Sequence, residues 1–172
     1  CALCVNLAHP FTKKNPSSDE WPIGIMIEDL KNCNAFNGKG LVIHCGTHTH
    51  DPVDIALNKF ETSIRKILLH ATVNCPLILE TCAGEDKDLC HQFPDLVNFY
   101  NRFSSEERTR LKICVDTCHV FAAGYTPSLF ITNWELIFPD SIRLVHFNDS
   151  KKPFNCRVDR HEYYITDNPQ IG

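Results

Sequence analysis

Four short apolar runs each end in a side chain that binds metals: Leu41-Val-Ile-His44, Leu77-Ile-Leu-Glu80, Lys112-Ile-Cys-Val-Asp116 and Leu144-Val-His146. Imidazole and carboxylate together make a donor set that zinc and manganese accept more readily than calcium, which prefers oxygen throughout. Any one of these residues has a bland reading, either a hydrogen-bonded structural imidazole or a helix-capping aspartate. Their recurrence changes the argument. Two carboxylates gathered in one buried place need positive charge, and a cation supplies it while favouring neutral histidine beside it. Asp116-Thr-Cys-His119 adds an imidazole three residues past the third run. Asp159-Arg-His161 adds two ligands whose spacing sends both to one side of extended backbone. Alone, that tripeptide reads as a salt-bridged surface loop; with His119 it completes a three-ligand set with an open position, the composition of a catalytic zinc site.

The terminal residues of the four runs are 36, 36 and 30 positions apart, about the length of a strand-helix-strand unit of at least ~30 residues. Each run is therefore read as a parallel strand. Alternation along a strand gives His44 the face of Val42, Glu80 that of Ile78, Asp116 that of Cys114 and His146 that of Leu144. All four ligands then point one way. In a (β/α)8 barrel, catalytic groups stand at the carboxyl ends of several strands and converge on one mouth. The expected fold is α/β, a partial TIM (β/α)8 barrel forming one incomplete domain over residues 1–172 and truncated at both ends. A complete barrel takes about 250 residues, and this chain of 172 begins at Cys1 and closes at Gly172 on a polar stretch. Unpaired strand edges in such a piece favour aggregation or poor folding.

The connecting elements follow from periodicity and caps. Ser18, Asp19 and Glu20 start a helix carrying Ile23, Met26, Ile27, Leu30 and Cys33, which Asn37-Gly-Lys-Gly40 ends. Asp51 is read as the N-cap of a second helix, with Pro52 at its first position and Val53, Leu57, Phe60, Ile64, Ile67 and Leu68 turned inward. A third helix spans about 92–103 on Phe93, Leu96, Val97, Tyr100 and Phe103, followed by the capped turn Ser104-Ser-Glu-Glu107. Residues 119–125 read as a small-residue loop, Thr126-Pro127 opens a helix to about 138, and a strand runs from about 142 to 148. From Asp149 onward the pattern predicts a long loop over the site.

The composition, 43% apolar and 22% charged, is that of an ordinary globular chain. No apolar run approaches the ~20 residues that cross a bilayer, so no membrane role is expected. The ten cysteines are scattered through strands and helices, which favours a reducing intracellular compartment (cytoplasm, nucleus or mitochondrion) over a disulfide framework. Cys1-x-x-Cys4 has the spacing of a zinc knuckle or redox pair, but it lacks a second matched pair and packing is the expected role. A net charge of -4 does not advertise a nucleic-acid binder. The local balance is more useful: from Arg143 to His161 five basic residues stand against Asp149 and Asp159, a segment suited to facing phosphate. Lys151, Arg157 and Arg160 there are read as phosphate contacts, Lys152 as a solvated lysine, and Asn148 and Asp149 as orienting ligands or phosphate. His9, His48 and His50 are read as supporting the site rather than ligating metal.

These motifs resemble the endonuclease IV family of AP endonucleases, zinc-dependent DNA-repair enzymes on a TIM barrel of the xylose-isomerase-like type. The likeness runs nearly end to end. It is carried by Asn6-Leu-Ala-His-Pro10, His44-x-Gly46, Glu80-Thr-Cys-Ala-Gly84, Cys114-Val-Asp-Thr-Cys-His119, Phe121-Ala-Ala-Gly-Tyr125, His146-Phe-Asn-Asp149 and Arg157-Val-Asp-Arg-His161. The resemblance implies three zinc ions, with manganese as an alternative metal: Glu80 bridges two, with His44 on the first and Asp116 and His146 on the second, while His119, Asp159 and His161 hold the third. It makes Glu80, Asp116 and His146 catalytic, and double-stranded DNA containing abasic sites the partner of a monomer. Two family ligands fall outside the chain, a histidine immediately before Cys1 and a glutamate after Gly172, and Leu3 stands near the place of a DNA-contacting aromatic. The competing readings are a metal-dependent sugar isomerase or epimerase on the same barrel and a non-catalytic DNA-binding remnant.

Overall fold

All four runs form strands. β1 (Leu41–His44), β2 (Leu77–Glu80), β3 (Leu111–Asp116) and β4 (Ile142–His146) pair in chain order as one parallel sheet. The computed structural model describes residues 5–9, 21–85 and 87–163. Between and around the strands lie α1 (Trp21–Ala35), α2 (Val53–Leu68), α3 (Phe93–Tyr100), α4 (Thr117–Ala122) and α5 (Pro127–Ile137). A chain-ordered parallel sheet with intervening helices is part of a (β/α) barrel. The register sets His44 beside Glu80, Glu80 beside Cys114, and Asp116 beside His146. Cys114 and Asp116 are two residues apart and share a face, so all four ligands lie at one end of one face.

Burial explains why the elements pack this way. Every residue of β2 is buried, as is β3 apart from Lys112. α2 turns Ala56, Phe60, Ile64, Ile67 and Leu68 inward, and its charges match the helix dipole, with Asp54 in the first turn and Arg65 and Lys66 in the last. Phe60 stacks on Phe99 of α3 at 5.1 Å between centroids. The Tyr100 hydroxyl donates to the Leu111 carbonyl at 2.7 Å, pinning α3 to β3. The turn after α3 is closed by a reciprocal capping box: Glu107 N donates to Ser104 Oγ at 3.1 Å and Ser104 N to Glu107 Oε2 at 2.8 Å.

Several expectations change. Pro52, not Asp51, occupies the cap position of α2; the Asp51 carboxylate instead takes Lys59 at 2.7 Å and His9 at 3.3 Å. That leaves Val53 half exposed in the first turn rather than turned inward. α3 ends at Tyr100, although Phe103 is buried as expected. Residues 117–122 are helix α4 rather than loop, and all six are buried. β4 stops at His146. The segment beyond it is not structureless: β5 (Asp149–Ser150) pairs antiparallel with β6 (His161–Glu162) and folds the chain back on itself. The described cysteines are free thiols. No helix among the described residues is long and apolar enough to cross a membrane. Cys1, Leu3, Cys4, the helix start Ser18-Asp-Glu20 and the tail beyond Tyr163 lie outside the described residues.

Gly46, two residues past β1, has φ 75°, and a Cβ there meets Asn6 Oδ1 at 2.6 Å. That oxygen accepts from Ala8 N at 3.1 Å and Thr47 N at 3.3 Å, tying the 5–9 segment to the loop after His44. Gly46→Ala is expected to cost about 1–3 kcal/mol. A urea titration reads this as a lower midpoint at unchanged slope; an unchanged midpoint contradicts it.

Candidate metal centre

Glu80 is the hub. Its carboxylate is nearly buried, and its two oxygens face different imidazoles: Oε2 lies 3.2 Å from His44 Nε2 and Oε1 2.8 Å from His146 Nδ1. Burial alone pushes the Glu80 carboxyl upward, but the hydrogen bonds from His44 and His146 outweigh it and hold the group below the usual range. The Glu80 hydrogen bond in turn raises the imidazole of His44 against its own desolvation. A carboxylate offering one oxygen to each side has the geometry of a bridging ligand.

Asp116 sits one tier further along the same face with no exposure. It does cap α4, as the bland reading anticipated: Oδ1 accepts from His119 N at 3.1 Å. Its other oxygen belongs to the site, with Oδ2 3.6 Å from His146 Nδ1, 3.8 Å from His161 Nε2 and 2.6 Å from Asn148 Nδ2. The first turn of α4 delivers His119 to the mouth, where its Nδ1 lies 2.7 Å from the Thr81 carbonyl and 3.7 Å from Glu80 Oε1. A carbonyl only accepts, so in the neutral ring Nδ1 carries the proton and the Nε2 lone pair is left for a metal.

That lone pair faces the third group. His119 Nε2 is 3.1 Å from Asp159 Oδ2, His161 Nε2 is 3.0 Å from Asp159 Oδ1, and the two Nε2 atoms are 3.3 Å apart. Zinc bonds of 2.0–2.2 Å in a tetrahedron separate ligand atoms by about 3.3–3.6 Å. The triad is therefore close to the spacing a single ion requires, and two imidazole nitrogens aimed at each other fit a shared cation. Without one, a proton does the work. Desolvation opposes protonation of His119, but the Asp159 hydrogen bond and the charges of Asp116 and Asp159 push its pKa up to about 9. Asp159 is correspondingly held below its ordinary value, chiefly by the His119 hydrogen bond. The β5–β6 pair is what brings Asp159 and His161 back over α4.

All seven sequence-predicted ligands thus meet at one end of the sheet. Lys151, Arg157 and Arg160 stand exposed on the loop carrying Asp159, with Lys151 3.6 Å from Glu162 Oε2. His9 pairs with Asp51, and His48 Nδ1 lies 3.1 Å from the Asp51 carbonyl. Two thiols enter the ligand neighbourhood without having been singled out as ligands: Cys114 beside Glu80 and His146, and Cys118 beside Asp116 and His161, each group having ligand atoms within 4.8 Å of one another. Burial pushes the Cys114 thiol up to about 12 and that of Cys118 to about 11. Thr81 is a further site residue that carries no motif of its own. It holds two candidate ligands, taking Asp116 N on its hydroxyl at 3.0 Å and His119 Nδ1 on its carbonyl at 2.7 Å. Its signal was only its place next to Glu80.

Parallel strands separated by helices, with imidazoles and carboxylates gathered at their carboxyl ends, define a TIM-barrel protein with a candidate metal centre at the mouth. The chain belongs to the xylose isomerase-like TIM barrel family, whose model matches residues 1–169. It is 30% identical over 171 residues to a putative endonuclease 4 of Acanthamoeba polyphaga mimivirus, covering 91% of this chain and 53% of that protein. It is 34% identical over 152 residues to a probable endonuclease 4 of Mycoplasma mobile, covering 86% and 53%. The chain spans about half the length of the curated relatives it matches. A crystal structure of a D-tagatose 3-epimerase-like protein superposes with a TM-score of 0.71 at 17% identity, over 88% of this chain and 55% of that one. That likeness speaks to the fold alone.

Proposed function

We propose that this chain carries the metal-binding strand ends of a zinc-dependent endonuclease that hydrolyses the phosphodiester 5′ to abasic sites in DNA. The observation that supports it most is the His119, Asp159 and His161 triad, with atoms 3.0–3.3 Å apart, adjoining the Glu80-centred set. Adjoining sets of candidate metal ligands suit phosphodiester hydrolysis, and the relatives named endonuclease 4 point the same way. When bound, such ions activate water near neutral pH and neutralise charge building on phosphate oxygens.

The protein's own residues do the rest. Glu80 and Asp116 supply the negative charge that holds cations in the mouth, and both are shielded from solvent. His119 presents its Nε2 from a ring fixed by the Thr81 carbonyl. Lys151, Arg157 and Arg160 meet the backbone phosphates from the exposed loop. An abasic sugar has no base to unstack, so drawing it into the mouth costs less than extruding an intact nucleotide, which gives selectivity without base reading.

The test compares abasic and intact duplexes with the full natural chain, before and after zinc is stripped by a chelator. Cutting of the abasic duplex alone, lost on stripping and restored by zinc or manganese, is expected. Equal cutting of both duplexes, or undiminished activity without metal, contradicts the proposal. Two bound ions or fewer together with turnover of a sugar favour the isomerase reading, and tight abasic-DNA binding without cutting favours a non-catalytic binder.

A further inference from the structure

Asp116 is held by two chains of hydrogen bonds, and the second runs through a residue with no contact to any candidate ligand atom of its own. Asp116 Oδ2, the oxygen that lies between His146 and His161, takes the amide of Asn148 at 2.6 Å. The backbone of Asn148 is gripped on both sides by one hydroxyl: Asn148 N donates to Thr117 Oγ1 at 2.9 Å, and Thr117 Oγ1 donates to the Asn148 carbonyl at 2.5 Å. The same hydroxyl lies 3.4 Å from the His146 carbonyl. A hydroxyl has one proton and two lone pairs, so this pairing uses its donor and one acceptor. Thr117 is 3% exposed and occupies the first position of α4, directly after Asp116. β4 ends at His146, two residues before Asn148.

We propose that Thr117 is a positioning residue for the metal centre: its hydroxyl clamps the backbone at Asn148, and so sets the amide that aims Asp116 Oδ2 between His146 and His161. The proposal rests on the metal-binding reading above. Asp116 Oδ1 is already committed to the first turn of α4, so Asn148 decides where the free side of this carboxylate points. Loss of the clamp removes the side-chain hold on the Asn148 backbone, and the ligand oxygen then loses its fixed direction even though every candidate ligand is still present. Partners that orient a metal ligand are commonly worth 10–100-fold in metal affinity.

The experiment measures zinc affinity, by competition with a chromophoric chelator, in the full natural chain and in three variants. Thr117→Val keeps the shape and removes the hydroxyl; zinc affinity is expected to fall about 10–100-fold, with kcat lowered and KM for abasic duplex little changed. Thr117→Ser restores the hydroxyl and is expected within about threefold of the parent. Asn148→Ala cuts the same chain one bond later and reports independently if valine is not tolerated. In the double variant Thr117→Val with Asn148→Ala, the losses should fall well short of multiplying, because both act on one oxygen. Parent-like zinc affinity in both Thr117→Val and Asn148→Ala, or fully multiplicative losses, overturns the proposal. A parent chain that binds no zinc sinks the metal reading itself, a separate outcome.

Discussion

Glu80→Gln is expected to lower cleavage of abasic duplex by about 10³-fold or more while leaving the far-UV spectrum and the unfolding midpoint near those of the parent. Glutamine keeps the volume and one carbonyl oxygen, so β2 and its packing are undisturbed. It removes the charge, and it also removes the symmetry the site depends on. Glu80 accepts on Oε2 from His44 and on Oε1 from His146, whereas an amide turns an NH2 toward one of the two. That group has no lone pair for an ion and opposes any protonated imidazole. Zinc bound per chain should fall along with kcat. Activity within tenfold of the parent means that Glu80 bridges nothing.

Trp134→Ala is expected to do the reverse, destabilising the protein by about 3–5 kcal/mol while the folded fraction keeps its zinc. Trp134 has no exposure and forms the centre of an aromatic cluster, with Phe138 at 5.0 Å, Tyr100 at 5.4 Å and Phe93 at 6.0 Å between ring centroids. Its Nε1 donates to Ser141 Oγ at 2.7 Å, fastening the end of α5 to the start of β4. Alanine leaves a large cavity and takes that bond away. None of these residues is a candidate ligand, so urea unfolding should shift strongly and zinc affinity measured in the folded range should not. A shift below 1 kcal/mol means that the cluster collapses around the smaller side chain.

The contrast between these two positions mirrors what the amino-acid order made legible. β1, β2, β3 and β4 are legible because each is a largely apolar run closed by a candidate ligand, and their spacing matches one structural unit. Those same features put His44, Glu80, Asp116 and His146 on one face, as the register bears out. α4 was missed because all six of its residues are buried: a helix with no solvent face has no amphipathic period, and Phe121-Ala-Ala reads as a small-residue loop. The β5–β6 pair escaped for the opposite reason, since two-residue strands are too short to alternate. Thr81 and Thr117 act through hydrogen bonds to backbone and side-chain atoms, a role that residue type alone does not announce, whereas Asn148 is read from the sequence as orienting ligands or phosphate. Asp51 is a compact lesson in competition. Its side chain could cap α2, but Lys59 and His9 hold it instead, and Pro52 starts the helix without a side-chain cap.

Diffraction from crystals of the full natural chain grown with zinc, recorded on both sides of the zinc absorption edge, tests the central claim most directly. The account predicts anomalous peaks at the strand mouth, one within about 2.0–2.2 Å of His119 Nε2, His161 Nε2 and an Asp159 oxygen and others against the two oxygens of Glu80. Zinc held elsewhere on the molecule, with His44, Glu80, Asp116 and His146 bonded only to one another, contradicts it.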